Sequence, residues 1–428
     1  MRADDIPAEE TGREPVASAD RVTAHGRSTG PGPRRYDLVL FGATGFTGGL
    51  TAEYLARHVP AGTRWALAGR DPDRLAAVRS RLSGSDPASA GPDLLTADAD
   101  DPESLRAVAE ASRVVATTVG PYLRHGDGLV AACARAGTDY VDLCGEPEFV
   151  DRTYLRWHGV ALASGARIVH SCGFDSVPHD LGVHFTVGRL PAGVPLRVEG
   201  FVSASATVSG GTFHSAVTAF SRLGQGAMTA RRRRALERRE GHGAGGGDGA
   251  RRVRGLPAVP RREGRLGVWA LPLPTIDPQV VLRSARALQR YGPDFSYGHY
   301  AAVGRLPNAV GIAGGALALV ALSQVRPARE WLLGRKGPGD GPSRERRERS
   351  WFRVVFLGEG GGERVVTEVS GGDPGYGETA RMLAESALCL AFDDLPPAAG
   401  QLTTAAAMGD ALTERLAGLG FRVLAHWS

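Results

Sequence analysis

The stretch that most restricts what this chain can become is YDLVLFGATGFTG, from Tyr36 to Gly48. Leu38 to Phe41, with Tyr36 behind them, form the short apolar run that a buried parallel strand requires. Gly42, Gly45 and Gly48 follow at a constant interval, after which Leu50, Tyr54 and Leu55 recur at helical spacing. Strand, glycine turn and helix start therefore come in one block. The first N–H groups of such a helix point back at the turn and suit an anionic pyrophosphate. Gly42 permits the tight turn, Gly45 lets the backbone approach a phosphate, and Gly48 lets the helix lie close to the strand. Gly42, Ala43, Thr44, Gly45, Phe46, Thr47 and Gly48 are thus the expected dinucleotide cradle.

The pattern after this block keeps alternating strand and helix, as a doubly wound parallel sheet requires. Trp65 to Ala68 is the second strand and ends at Gly69-Arg70. A site for NAD usually carries Asp or Glu about twenty residues past the glycine turn, to hold the ribose hydroxyls. Here that place holds Ala68, Gly69 and Arg70, and a guanidinium suits a 2′-phosphate, so NADP is expected. The next strands end near Asp98 and at Thr117 to Gly120. Ligands of open parallel sheets lie at the carboxyl ends of the strands, so Asp98 is expected near the adenine. Thr117, Thr118, Val119 and Gly120 are expected near the nicotinamide-side ribose.

Lys336 is the only lysine among 428 residues and is followed by Gly337, which excludes a P-loop. Leu332, four residues earlier, excludes the Tyr-x-x-x-Lys pair of short-chain reductases. Cys133, Cys144, Cys172 and Cys389 are too far apart in sequence to suggest a zinc motif or a disulfide framework, so no metal is expected. The length asks for two domains. Residues 1–35 mix charge, Pro, Gly and Ala without periodicity and are expected to be disordered, with no signal peptide. The first folded domain is expected over 36–180.

Beyond Asp180 the texture changes, and a second domain is expected over 181–372. Ser209 to Thr212 reads as a sharp turn, with a helical stretch following from Phe213. Residues 235–262 read as a mobile loop rich in Gly and flanked by arginine runs, and those arginines read as a solvated helix face. Asn308 to Val325 carries no charge, and a buried helix is preferred over one lying in a membrane interface. Trp351 to Leu357 and Arg364 to Val369 read as a hairpin, and 373–428 as helical.

GATGFTG at 42–48, AGR at 68–70, TTVGPY at 117–122, YVDLCGE at 140–146, CGFDSVPHDLG at 172–182, SGGT at 209–212 and DPGYGETA at 373–380 occur in this order. Together they make the chain resemble the saccharopine dehydrogenase family, and within it the trans-acting enoyl reductase branch. Cys144 and His179 depart from the small or polar residues that family often carries there. The resemblance implies a Rossmann-like α/β domain, an inserted α+β domain for substrate and dimer contacts, and C-terminal helices returning to the first domain. It also implies NADPH as hydride donor and a lipid-like or polyketide acyl substrate presented by a synthase. A homodimer in the cytoplasm is expected, with no nucleic-acid partner and with peripheral contact at the plasma membrane left open.

Enoyl reduction needs a group that stabilises the enolate and protonates the α-carbon. Tyr122 is the leading candidate, with His214 and Asp175 next, and the Gly210 and Gly211 N–H groups as an alternative. Two other readings stay open: a reductase of an imine or small carbonyl compound, and a protein binding NADP and lipid surfaces without turnover.

Overall fold

The computed structural model describes residues 34–83, 91–205, 210–239, 251–334 and 341–427. The expectations for 1–33, for Ser209, for the glycine-rich centre of the 235–262 loop and for Lys336 lie outside these residues.

Six strands come first: β1 (Tyr36–Phe41), β2 (Trp65–Gly69), β3 (Asp93–Thr96), β4 (Ser112–Thr117), β5 (Asp139–Asp142) and β6 (Arg167–Val169). A second group follows: β7 (Leu196–Ser205), β8 (Arg252–Gly255), β9 (Arg261–Glu263), β10 (Val268–Pro272), β11 (Asp294–Val303), β12 (Trp351–Gly360) and β13 (Glu363–Gly371). The last two are β14 (Gly400–Leu402) and β15 (Arg422–Trp427).

The first sheet is parallel, in the order β14-β6-β5-β4-β1-β2-β3. All six residues of β1 are buried, because helices cover both faces. Leu38 and Leu40 belong to the core on one side, Val39 and Phe41 to the core on the other. This is the doubly wound arrangement read from the sequence. The second sheet is mixed, in the order β15-β13-β12-β7-β11-β10-β9, with β8 also beside β11. β12 and β13 form the expected hairpin. Helix Val177–Val187, which leaves β6, packs on this second sheet, with the Thr186 and Thr367 hydroxyls 2.6 Å apart.

Five expectations need correction. The described ends of the 235–262 stretch are not loop: helix Leu223–Arg239 runs to 239, β8 falls within the stretch and β9 begins in it, because their backbones pair into the second sheet or continue the helix. Gly210 to Thr212 open the helix Gly210–Ser221 and do not form a sharp turn. Helix Leu306–Gln324 is not buried: Ala309 and Ser323 are its buried residues, and most of the others are exposed. Its apolar residues are spread around the whole circumference, and Val310, Ile312 and Leu317 are exposed. The segment after 373 is not wholly helical: helix Gly377–Phe392 does return to the first sheet, but β14 extends that sheet and β15 extends the other. Finally, Arg233 leaves the solvated arginine face and is buried against Asp151, because helix Leu223–Arg239 packs on helix Pro147–Ser164.

Candidate functional site

The carboxyl edge of the first sheet collects most of the expected cofactor residues. Gly42 leaves β1 with φ +92°, and a Cβ there would lie 2.7 Å from Val119 Cγ2 and 2.8 Å from Thr118 Oγ1. A Cβ on Gly48 would sit 2.1 Å from the Gly42 carbonyl oxygen, so the helix can approach the turn only without a side chain. At Gly45 the nearest atom would be 3.5 Å away, which leaves the space above this residue free for a ligand. Helix Phe46–His58 begins there without a side-chain cap, so the N–H groups of Phe46, Thr47 and Gly48 have no intrahelical acceptor. These groups fit a pyrophosphate.

The neighbouring strand ends close the cradle. Thr118 donates its hydroxyl to the Gly42 carbonyl at 3.1 Å, and the Thr117 hydroxyl accepts from Val119 N–H at 3.2 Å. Ala43 is buried under the turn and Gly120 is exposed at its rim. Arg70 follows β2 and is exposed. Arg74, which sequence reading passed over, donates to the Thr44 carbonyl at 3.1 Å and so brings a second guanidinium to this edge. Its only signal was a place in the first turn after Arg70. Asp98 lies past β3, where its carboxylate accepts from Asp100 N–H at 3.0 Å in a local turn.

The catalytic candidates fare differently. Tyr122, expected at the crevice, is turned inward. Its hydroxyl donates to the Thr117 carbonyl at 3.2 Å, accepts from Leu143 N–H at 3.1 Å, and is pushed up first by burial and then by Asp142. It ties the exit of β4 to the exit of β5. Asp175 follows β6, is partly shielded, and lies with Oδ2 2.8 Å from where a Gly145 Cβ would be. Burial, and then the charge of Asp277, push its carboxyl up to about 7. His214 is half-buried on helix Gly210–Ser221. The next residue, Ser215, donates to Glu146 Oε1 at 3.0 Å. Glu146 in turn accepts from the N–H groups of Tyr122 and Leu123 at 3.2 and 2.9 Å. Burial raises its carboxyl as well.

Asp142 anchors this region from below. Fully buried, it accepts from the N–H groups of Cys144 and Ser171, each at 2.9 Å, and from the Tyr140 hydroxyl, also at 2.9 Å. His170 Nδ1 lies 2.7 Å away. The exits of β5 and β6 are therefore locked side by side, with Asp175 and Glu146 above them. The acidic ends of YVDLCGE were visible in sequence, but not the partners that make them structural.

Residues 38–168 match the family described as Saccharopine dehydrogenase NADP binding domain. Over 415 residues the chain is 41% identical to a Mycobacterium tuberculosis protein named as a trans-acting enoyl reductase, covering 91% of this chain and 97% of that one. The Trans-acting enoyl reductase of Mycobacterium ulcerans is 37% identical over 438 residues, with 92% and 98% covered. Among solved structures, the saccharopine dehydrogenase (L-Glu forming) of Saccharomyces cerevisiae has a TM-score of 0.52 at 12% identity, covering 91% of this chain and 99% of that chain. That likeness concerns the fold. NADP is the cofactor that this domain binds.

Proposed function

Because the chain belongs to the trans-acting enoyl reductase family, we propose that it saturates a carbon–carbon double bond in a lipid-like or polyketide acyl chain presented by a separate synthase. NADPH, when bound, supplies the hydride that goes to the β-carbon. In this reading Arg70 and Arg74 hold the 2′-phosphate, and the free N–H groups of Phe46, Thr47 and Gly48 hold the pyrophosphate. Asp175 holds the proton for the α-carbon, since it combines partial access, a position at the carboxyl edge and a carboxyl raised to about 7. His214 and the first N–H groups of helix Gly210–Ser221 lie on the element that faces Glu146, and they are assigned to the enolate oxygen.

The observation that carries the acyl reading is helix Leu306–Gln324. It packs beside helix Gly210–Ser221, with Gln324 donating to the Phe220 carbonyl at 2.6 Å, yet Val310 and Leu317 are 64% and 71% exposed. At nineteen residues it is about 28 Å long, uncharged and apolar between Asn308 and Ser323, with Arg305 before it and Arg326, Arg329 and Trp331 after it. Such a helix suits peripheral contact with a lipid surface, and it would lead an acyl chain towards His214. The reading also assigns the expected homodimer to the open edge strand β15, where Val423, Leu424 and Trp427 are exposed.

The test is a titration of NADPH fluorescence, repeated with NADH and with Arg70→Ala and Arg74→Ala, followed by addition of enoyl thioesters. The expected result is preference for NADPH, weaker binding in both variants, and a product heavier by two hydrogens. Asp175→Asn should still bind NADPH but reduce about 100-fold or more slowly. Oxidation of NADPH at the wild-type rate in that variant would remove Asp175 from its role. Saturable NADPH binding without reduction of any acyl thioester, with the synthase present, would overturn the reductase.

A further inference from the structure

Three buried side chains from separate elements converge close to Asp175, whose carboxyl feels the charge of Asp277. His179 comes from helix Val177–Val187, Asp277 opens helix Asp277–Ala287, and His299 lies on β11. All three are nearly inaccessible, at 2%, 2% and 6% exposure. His179 Nε2 stands 3.5 Å from Asp277 Oδ1, and His299 Nε2 stands 3.4 Å from Asp277 Oδ2. The three ligand atoms lie within 4.8 Å of one another.

These separations are too long for an imidazole–carboxylate hydrogen bond, which would close to about 2.8 Å. Asp277 Oδ1 and His299 Nε2 accordingly remain buried without a hydrogen-bond partner among the described residues. Leaving such atoms unsatisfied is costly, so a gap held open between them needs an occupant. The two short separations end on different oxygens of Asp277, and one ligand atom from each residue falls within 4.8 Å of the others, against the about 3.4 Å that a tetrahedral ion with bonds of about 2.1 Å gives its ligands, so the three side chains would close in slightly on an ion. The surrounding bonds also aim the ligands. The Tyr297 hydroxyl lies 2.9 Å from His299 Nδ1, which turns Nε2 towards Asp277, and the Thr275 hydroxyl donates to Asp277 Oδ2.

We propose that His179, Asp277 and His299 bind one divalent transition-metal ion of the zinc class, with a fourth position left open. Two imidazoles and one carboxylate suit zinc better than magnesium or calcium, which prefer all-oxygen sets. The ion would pin the helix that follows β6 to β11 and to helix Asp277–Ala287. The inference stands on this cluster and not on the enoyl reductase reading, but an ion on Asp277 would offset the charge that helps raise the Asp175 carboxyl, so the value of about 7 belongs to the metal-free chain.

The experiment uses the full chain, dialysed against a chelator and then titrated with Zn2+ alone against a chromogenic competitor, with thermal melting in parallel. One equivalent per chain and a Zn2+-dependent rise in melting temperature are expected. His299→Gln and His179→Ser should each weaken binding at least about tenfold and lose the thermal shift. Tyr297→Phe, which leaves all three ligands in place, should weaken binding by about tenfold. Co2+ in place of Zn2+ should give the visible absorption of a four-coordinate site. Wild-type protein that takes up no stoichiometric Zn2+, or equal uptake by wild type and the variants that fold, would overturn the site. Should neither ligand variant fold, an unchanged affinity in Tyr297→Phe together with no thermal shift in wild type would do the same.

Discussion

A Cβ on Gly48 would meet the Gly42 carbonyl at 2.1 Å, and because that atom is backbone no side chain can give way. Gly48→Ala is therefore expected to cost about 2–3 kcal/mol or more, seen as a lower melting temperature. Gly45→Ala should melt like wild type, since its Cβ has 3.5 Å of clearance, but should weaken NADPH binding by intruding where the phosphates approach. Equal melting losses in the two variants would refute this division of roles. The roles were legible in sequence because the constraint is local and steric. Tyr122 was not, because what occupies its hydroxyl is Leu143 N–H, twenty-one residues away, and the Thr117 carbonyl. The locking role of Asp142 was hidden for the same reason, as its His170 partner is twenty-eight residues off. For Asp175 the sign of the pH effect is fixed. Burial and Asp277 raise its folded carboxyl to about 7, above the ordinary carboxylate range. The acid is therefore present below that value and lost as pH rises through it, while stability falls as pH rises from the ordinary carboxylate range to about 7, where the folded chain holds a proton that the unfolded chain has lost. The turnover rate should decline with an apparent midpoint near 7, and an unchanged rate between about pH 5 and 9 would argue against a protonated Asp175 in the reaction.

Elements were legible where the pattern decides and hidden where it does not. β1 and β2 read as buried parallel strands because only continuous apolar runs survive between two helical layers. Helix Leu306–Gln324 was recognisable as a helix, but a sequence apolar all round looks the same whether protein or lipid surrounds it. β14 escaped because Gly400-Gln401-Leu402 is too short to show alternation; it forms because β6 offers an open edge. The exposed helix has a direct consequence. Val310→Asp and Leu317→Asp remove apolar surface that the described residues leave exposed, so each should change folding stability by less than about 0.5 kcal/mol. Both should nevertheless abolish co-sedimentation with phospholipid vesicles, because a carboxylate in the middle of the apolar face must be desolvated on insertion. Wild-type protein that stays in the supernatant with neutral and anionic vesicles alike would remove the membrane contact. A large drop in melting temperature in either variant would mean that the face packs against protein.

At the scale of the whole molecule, the two sheets share their interior. One continuous core holds Leu38 and Leu40 of β1, Val198 of β7, Phe356 of β12 and Leu388 of helix Gly377–Phe392. The chain after 373 reinforces this by crossing between the sheets: helix Gly377–Phe392 lies on the first, β14 extends that sheet, and β15 returns to the second beside β13. Tyr54 of the cradle helix donates to Glu385 at 2.7 Å, so the cofactor end is tied to the same segment. Domains that meet through a small polar surface can unfold separately, whereas elements sharing a core lose it together. The prediction is a single calorimetric transition, with far-ultraviolet circular dichroism and tryptophan fluorescence giving one midpoint. The tryptophans report on both sheets, with Trp65 in the first and Trp269 and Trp351 in the second. NADPH binds only the folded cradle, so at about 100 times its Kd it should stabilise the whole transition by about 2.7 kcal/mol. Two resolved transitions, of which NADPH moves one and leaves the other in place, would show that the shared core does not couple the second sheet to the cofactor site.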